Sequence, residues 1–179
     1  PPQIMTWDKD NLTGHVIAKD IVESAKKYVP EMKANGADVI VAIPHSGMYN
    51  NAYGKGEEHA TYHLAKVDGI DAILFGHSHR VFPGDESFNE YEGIDATKGT
   101  VFGVPAVMPG FWGSHLGMVD LTLNLDGDGI LSFRPFGWQV SEILPLSHPV
   151  DPDQFGGGCV EALINHVVDA LDAGNTPEN

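Results

Sequence analysis

The chain has 179 residues, with 10 basic and 25 acidic side chains and a formal net charge of −15. This length suffices for one domain with a sizeable core, and an acidic balance without a basic stripe argues against binding to polymeric nucleic acid. No apolar run approaches the ~18 residues of a membrane span. Cys159 is the only cysteine, which excludes an intrachain disulfide and a zinc site built on several thiolates.

The start of the chain carries no recognisable sorting signal. It opens Pro1-Pro2 instead of with Met, and no charged-then-apolar leader follows. We interpret the chain as an internal piece of a longer protein, so the missing leader says nothing about localisation.

A helix is predicted after a polar leading loop over residues 5–14. Asp20 followed by Glu23 forms a capping box, which is typical of a helix N-terminus. Asn35-Gly36 is typical of a helix end. Pro30 lies inside the predicted helix and predicts a kink or a break there, because proline removes one backbone hydrogen bond.

Helical and strand patterns alternate as far as residue 80. Apolar runs at 39–43 and 73–75 predict two buried strands, and residues 57–66 predict a second helix between them. Strands that alternate with helices favour a parallel pairing with the helices outside. The expected fold class is therefore α/β.

The second half of the chain changes character. Residues 81–98 predict an acidic, glycine-bearing loop, and Asp126-Gly127-Asp128-Gly129 is a turn signal between later strands. We expect antiparallel strands that add a second sheet behind the first. The four predicted strands cover 100–102, 104–108, 116–125 and 130–140. Residues 144–158 are rich in Pro, Asp and Gly and predict a linker, which a helix over 160–171 follows.

Histidines follow both predicted parallel strands. His45 comes after the first, and Gly76-His77-Ser78-His79 comes after the second. In open α/β sheets, ligands bind at the carboxyl ends of parallel strands. Gly76 would free the backbone for a tight exit, and in extended backbone His77 and His79 would project to the same side. The sequence therefore predicts a metal site held by His45, His77 and His79.

Other polar residues near these histidines have competing interpretations. Ser46 and Ser78 lack a nucleophile elbow, which favours hydrogen-bond donors that support the metal ligands over catalytic nucleophiles. His59 and His63 share one face of the second predicted helix, and we expect them to pack against neighbours or face solvent. His115 either points into the crevice at the strand ends or serves a turn.

The predicted ligands limit the chemistry. Three neutral imidazoles suit one zinc ion, whereas phosphoester hydrolysis commonly uses two divalent ions ~3.5–4 Å apart. Two ions so close need a bridging carboxylate to reduce their repulsion. No acid follows the strands as the histidines do, and Asp85 is the one plausible substitute in the sequence.

Three stretches of the chain resemble the calcineurin-like metallophosphoesterases. They are Pro44-His45-Ser46-Gly47, residues 75–84 with Gly-His-Ser-His-Arg-Val-Phe-Pro-Gly, and residues 104–117 with Met-Pro-Gly-Phe-Trp-Gly-Ser-His-Leu-Gly. The Gly-His-x-His motif is shared across the superfamily. The Phe-Pro-Gly extension and the third stretch resemble the 2′,3′-cyclic-nucleotide 2′-phosphodiesterase/3′-nucleotidase branch of the 5′-nucleotidase group.

The resemblance implies an α/β/β/α sandwich around two divalent ions, drawn from Zn, Mn, Mg, Co or Fe. It implies that His45 and His77 hold one ion and that His79 holds the other. The family's earlier Asp-x-His, bridging Asp and Asn-His pair have no counterpart here, so no residue is assigned as catalytic, although His115 is a candidate. The residues expected beside the substrate are Ser46, Ser78, Arg80, Trp112 and His115.

On this resemblance, residues 1–143 form the second half of the metal domain, and residues 144–179 lead toward a C-terminal nucleotide-binding domain. The missing N-terminal half and that domain would be partners within one longer chain, in a periplasmic or secreted enzyme of nucleotide catabolism. The expected activity is hydrolysis of 2′,3′-cyclic nucleotides and 3′-nucleotides. The alternatives are a 5′-nucleotidase-type phosphatase and a metal-binding fragment without turnover.

Overall fold

The computed structural model describes residues 1–123 and 130–139 of the chain. The α-helices in these residues are α1 (Ile4–Trp7), α2 (Lys9–Leu12), α3 (Ile21–Ala34) and α4 (Thr61–Leu64), and a 3-10 helix covers Glu86–Glu90. The strands are β1 (Val41–Ala42), β2 (Ala72–Leu74), β3 (Val81–Phe82), β4 (Ile94–Asp95), β5 (Thr100–Val101), β6 (Val104–Pro109), β7 (His115–Leu123) and β8 (Ile130–Gln139). No described helix combines the length and the apolar character needed to cross a membrane.

Six strands form one mixed sheet in the order β1-β2-β6-β5-β4, with β3 paired to β6 beside that path. β1 and β2 run parallel, with Val41 opposite Ala72. This parallel pair confirms the prediction from the alternating pattern. The carboxyl ends of β1 and β2 therefore meet at one edge of the sheet, where the motif histidines follow.

β6 departs from the prediction that all later strands pair antiparallel. It runs parallel to β2, with Ile73 opposite Ala106, and antiparallel to β5 and β3. A parallel return needs a crossover connection, and residues 75–103 supply it. The sheet changes from parallel to antiparallel at β6, whose carboxyl end joins those of β1 and β2.

α3 begins and ends where the capping signals predict. The Asp20 carboxylate accepts a hydrogen bond from the Glu23 N–H at 2.7 Å. Gly36 follows the helix with a φ of 93°, a left-handed conformation that glycine adopts without strain. The helix continues through Pro30, so the predicted break is absent. Val29 beside it is buried in the core, and this packing outweighs the loss of one backbone hydrogen bond.

Two segments of the first half differ from the prediction. The leading loop over residues 5–14 contains α1 and α2, two short helical turns. The helix predicted over 57–66 shrinks to α4, because the chain before it bends back and Ala60 pairs with Met48 in an isolated antiparallel bridge. The loop between β1 and α4 is thereby folded over the end of the sheet.

The second half is more ordered than predicted, and a second sheet packs behind the first. Residues 81–98 carry β3, the 3-10 helix and β4, because Phe82 and Phe88 are fully buried. β7 and β8 form a two-stranded sheet. A Cβ at Gly117 of β7 would lie 2.7 Å from Val107 Cγ2 of β6, so the two sheets approach closely there. The predicted turn at 126–129, domain boundary at 143/144, linker at 144–158 and helix at 160–171 lie outside the described residues.

Candidate metal centre

The histidines after β2 sit in a left-handed turn, so the expectation of extended backbone is wrong. His77 has a φ of 73° and His79 a φ of 58°, whereas Gly76 is not among the glycines of positive φ. The Ser78 N–H donates to the Gly76 carbonyl at 2.9 Å and closes the turn. Non-glycine residues rarely adopt this conformation, and it clusters at functional sites where the surrounding structure maintains it.

His45 and His77 meet at the ends of β1 and β2. His77 Nδ1 lies 3.2 Å from His45 Nε2. Partial burial lowers the pKa of His45, and electrostatic repulsion from the neighbouring His77 and His79 lowers it further. A lowered pKa keeps the His45 ring neutral near pH 7, with a lone pair available to a metal ion.

A carboxylate that the sequence analysis missed lies beside this pair. Glu58 Oε1 is 2.7 Å from His77 Nε2. The hydrogen bond with His77 lowers the pKa of Glu58 and outweighs the opposing effect of burial. Glu58, and not Asp85, is therefore the acid that contacts a predicted metal ligand among the described residues.

Asp85 is bound to other partners. Its carboxylate accepts hydrogen bonds from the Arg80 guanidinium at 2.6 Å and from the Ser87 N–H at 3.1 Å. Burial raises the pKa of Asp85, but the hydrogen bonds from Ser87 and Arg80 outweigh it, and the net shift is downward. Arg80 also lies over the Phe88 ring, with Cζ 3.8 Å from the ring centroid. Arg80 thus anchors the 3-10 helix through Asp85 and Phe88. Its expected position beside the substrate stays a prediction.

His59 joins the cluster, which the sequence analysis did not favour. Its ring lies 5.3 Å from that of His77 between centroids, and its Nδ1 is buried without a hydrogen-bond partner among the described residues. Gly47 makes room for it, since a Cβ there would lie 2.4 Å from His59 Nδ1. His63, one turn onward, packs on the preceding loop instead, with Nε2 2.9 Å from the Asn51 carbonyl oxygen.

Ser46 fastens the segment that carries Glu58 and His59. It is fully buried, and its hydroxyl donates to the Glu58 carbonyl at 2.6 Å and accepts from the Ala60 N–H at 2.7 Å. The hydroxyl is engaged both as a donor and as an acceptor. This geometry favours a structural role for Ser46 over that of a nucleophile.

Replacing Ser46 with alanine is expected to destabilise the fold by about 1–3 kcal/mol, because it leaves the buried Ala60 N–H and Glu58 carbonyl without their partner. Urea denaturation measures this loss. Ser24→Ala in α3 is the control and should change the free energy of unfolding by less than about 0.5 kcal/mol. Equal stability of the two variants would show that the Ser46 hydroxyl does not hold the loop.

Aromatic rings flank the histidines on two sides. Trp7 of α1 stacks on His77, with centroids 5.8 Å apart, and Phe111 stacks on His79 at 5.3 Å. Trp112 contacts Phe111 edge-on and is 86% exposed. Trp7 was missed because nothing in the local sequence connects it with the strand ends. The place of Trp112 beside the substrate stays a prediction.

The two remaining predicted residues contact other neighbours. The Ser78 hydroxyl donates to Met108 Sδ at 3.3 Å. His115 Nδ1 lies 2.9 Å from Ser114 Oγ, at the start of β7. These contacts leave the expected roles of Ser78 and His115 beside the substrate as predictions.

The donor atoms fit a divalent metal ion. Two ligands of one tetrahedral zinc, each ~2.0–2.1 Å from the ion, lie about 3.3 Å apart, and the nitrogens of His45 and His77 are 3.2 Å apart. Glu58, His59 and His77 form a second, alternative set of donors around His77, with one ligand atom each within 4.8 Å of one another. Imidazole nitrogens suit Zn and Fe, and carboxylate oxygens also suit Mn and Mg.

A weak sequence signal could have found Glu58 and His59. Gly54 and Gly56 interrupt the helical pattern just before them. Glycines at that place indicate that the acid and the histidine precede the helix, on a loop that follows His45 and can fold back toward it.

The unfolding free energy of the metal-free chain is expected to fall as the pH drops from about 7.5 to about 5.5. Burial lowers the pKa of His59 and of His63 from the ordinary value of 6.5. The unfolded chain therefore binds more protons than the folded chain below pH 6.5, and stability is lost as the pH falls through the folded pKa.

Urea denaturation of the wild type and of His59→Asn at both pH values isolates this effect from the titration of other groups. The decrease in unfolding free energy between the two pH values should be smaller in His59→Asn than in the wild type. It should be unchanged in His15→Gln, since His15 is exposed outside the cluster. A fall of the same size in all three proteins would contradict the burial of the His59 ring.

Comparison with known proteins adds a family match. Residues 2–81 match the family model of the calcineurin-like phosphoesterases. The chain is 50% identical over 150 residues to the 2′,3′-cyclic-nucleotide 2′-phosphodiesterase/3′-nucleotidase of Salmonella typhimurium. The aligned region covers 84% of this chain and 22% of that protein. The protein of the same name from Yersinia enterocolitica is 49% identical, with the same coverage.

A solved structure is similar across most of the chain. It is the calcineurin-like phosphoesterase YfkN from Bacillus subtilis, with a TM-score of 0.76 and 36% sequence identity. The match covers 96% of this chain and 51% of that one. The curated relatives from Salmonella typhimurium and Yersinia enterocolitica are longer, and the chain spans about a fifth of their length.

Proposed function

Since this chain carries a calcineurin-like phosphoesterase domain, we propose that it supplies metal ligands to a hydrolase of 2′,3′-cyclic nucleotides and 3′-nucleotides. The observation that carries the proposal is the 3.2 Å spacing of His45 Nε2 and His77 Nδ1 at the ends of two parallel strands. The names of relatives about 50% identical to the chain support this substrate class.

The three motif histidines and the aromatic residues beside them have proposed roles. His45 and His77 hold one of two divalent ions, and His79 holds the other. Such ions, when bound, activate water and stabilise the charge that develops on a phosphoryl group. Trp7 and Phe111 stack on the ligand rings and restrict their orientation. Trp112, exposed beyond Phe111, faces the solvent from which a nucleotide would arrive.

We further place the chain within a longer periplasmic or secreted protein, in which other segments supply further metal ligands and bind the nucleoside. The curated relatives are about five times as long as their match to this chain. In addition, Val41 of β1 and Ile43 just after it are exposed to 42% and 76%. Among the described strands β1 lies at the end of the sheet order, and an edge strand with exposed apolar residues is suited to pairing with another segment.

A 5′-nucleotidase-type phosphatase is the second candidate. The chain is 52% identical over 128 residues to a Bacillus subtilis protein named trifunctional nucleotide phosphoesterase protein YfkN, of which it covers 8%. The third candidate is a catalytically inactive fragment that binds metal ions.

Phosphate release from 2′,3′-cyclic AMP, 3′-AMP and 5′-AMP tests the proposal. The assay uses the longest natural protein that contains this chain, with Zn²⁺, Mn²⁺ or Mg²⁺ added after EDTA treatment. Turnover of the first two substrates that depends on metal supports the first candidate, and comparable turnover of 5′-AMP supports the second. No release from any nucleotide with any metal would refute both.

We expect the 179-residue chain alone to bind metal and to release no phosphate above the metal-only blank. Two dications ~4 Å apart repel about four times more strongly than unit charges, for which the cost is ~4 kcal/mol at an effective dielectric of about 20. Glu58, the carboxylate that contacts His77, is hydrogen-bonded to that ring at 2.7 Å, so we expect it not to bridge two ions. Steady release of phosphate from 3′-AMP by the chain would contradict this expectation.

A further inference from the structure

The Glu58 carboxylate and the His77 ring make a hydrogen bond that fixes where the ring proton lies. An ionised carboxylate only accepts hydrogen bonds, and its Oε1 lies 2.7 Å from His77 Nε2. In the neutral ring the hydrogen must therefore sit on Nε2. The other nitrogen, Nδ1, keeps its lone pair and faces His45 Nε2 at 3.2 Å.

Two distances show whether Glu58 would bind the metal ion itself or hydrogen-bond to a residue that binds it. Two ligands of the same tetrahedral ion lie about 3.3 Å apart, so the 2.7 Å between Glu58 and His77 is too short for that arrangement and typical of a charge-assisted hydrogen bond. The 3.2 Å between His77 and His45 has the spacing of two ligands. An ion held by His45 and His77 would therefore bind the Nδ1 side of the His77 ring, opposite the nitrogen that Glu58 contacts.

We propose that Glu58 is a positioning residue, which holds His77 as the Nε2–H tautomer and aims its Nδ1 lone pair at the metal site. A carboxylate on the far nitrogen of a metal-binding histidine fixes ring orientation and raises ligand basicity. The inference rests on the proposed function, because His77 is taken as a ligand there.

The surroundings of Glu58 hold its main chain in place. The buried Ser46 hydroxyl bridges the Glu58 carbonyl and the Ala60 N–H. On the other side, the buried Asp20 carboxylate accepts a hydrogen bond from the Gly56 N–H at 2.7 Å. The strand end and the N-terminus of α3 thus fix both ends of this short segment, as a positioning role requires.

The first test reads the tautomer of His77 in the metal-free chain. Long-range ¹H–¹⁵N correlation spectra near pH 7.5 distinguish the Nδ1–H and Nε2–H forms. The wild type should show His77 as the Nε2–H form, and Glu58→Ala should show a mixture. Glu57→Ala, one residue earlier, is the control and should match the wild type. An unchanged His77 tautomer in Glu58→Ala would overturn the proposal.

The second test measures Zn²⁺ affinity by competition with a chromogenic chelator. Glu58→Ala should bind about 10–100-fold more weakly with unchanged stoichiometry, and Glu58→Gln should lose less, because its amide oxygen still accepts from Nε2–H. Zn²⁺ affinity of Glu58→Ala within twofold of the wild type would overturn the proposal. The proposal would also be overturned if X-ray absorption spectra showed one oxygen ligand fewer in Glu58→Ala than in the wild type, since Glu58 would then bind the ion itself.

The two tests separate this inference from the proposed function. A wild type that binds no Zn²⁺ would refute the metal site, while the tautomer spectra would still report on the hydrogen bond. A wild type and a Glu58→Ala variant that bind Zn²⁺ equally well would leave the metal site standing and refute the positioning role.

Discussion

His77→Ala is expected to lower the affinity of the chain for Zn²⁺ by more than the ~10–100-fold that loss of a supporting residue costs. The ring of His77 contacts both His45 and Glu58, so its removal takes away one proposed ligand and separates the remaining two groups. Isothermal titration calorimetry with Zn²⁺ measures the effect, and circular dichroism checks that the variant is folded.

His15→Ala is the matched control, because it removes an exposed histidine outside the cluster. It should leave the affinity for Zn²⁺ unchanged, and His45→Ala should resemble His77→Ala. In the longer protein, the same His77 and His79 variants should lose most of the phosphoesterase activity. Wild-type Zn²⁺ binding by a folded His77→Ala variant would place the ion elsewhere in the chain.

Gly47→Ala is expected to destabilise the fold by about 1–3 kcal/mol, the usual cost of overpacking a tight site, and to weaken metal binding. The added Cβ would lie 2.4 Å from His59 Nδ1 and 2.9 Å from Ser78 Cβ. These two neighbours sit on different segments, so the loop that carries Glu58 must move away from the turn that carries His77. Urea denaturation and Zn²⁺ titration report the two effects.

Gly76→Ala provides a control from the same edge of the sheet. A Cβ at Gly76 would meet no atom within 4 Å, and its φ lies outside the left-handed region. Its free energy of unfolding should stay within about 0.5 kcal/mol of the wild type. If Gly47→Ala proved as stable as Gly76→Ala, the close approach of His59 to the strand end would be wrong.

The sequence predicts those parts of the fold that local signals encode. Asp20 and Glu23 mark the start of α3, because a capping hydrogen bond joins residues three apart. Apolar runs mark β1 and β2, and their alternation with helices predicts the parallel pair. That pair brings His45 and His77 together, since each histidine lies three residues after its strand ends.

Other parts of the site depend on contacts between distant segments. Glu58 reaches His77 because the chain folds back at the bridge between Met48 and Ala60, which the buried Ser46 hydroxyl stabilises. Periodicity in residues 57–66 instead favoured a continuous helix. The left-handed backbone of His77 is also set by its surroundings, because intrinsic preference would place glycine there.

The position of a bound ion shows directly which residues of the chain hold it. Crystals of the chain soaked in Zn²⁺, with anomalous difference maps, locate the ion from its own scattering. We expect a peak about 2.0–2.1 Å from both His45 Nε2 and His77 Nδ1, with Glu58 still hydrogen-bonded to His77 Nε2. A peak coordinated by Glu58 and His59, with His45 uninvolved, would contradict this expectation.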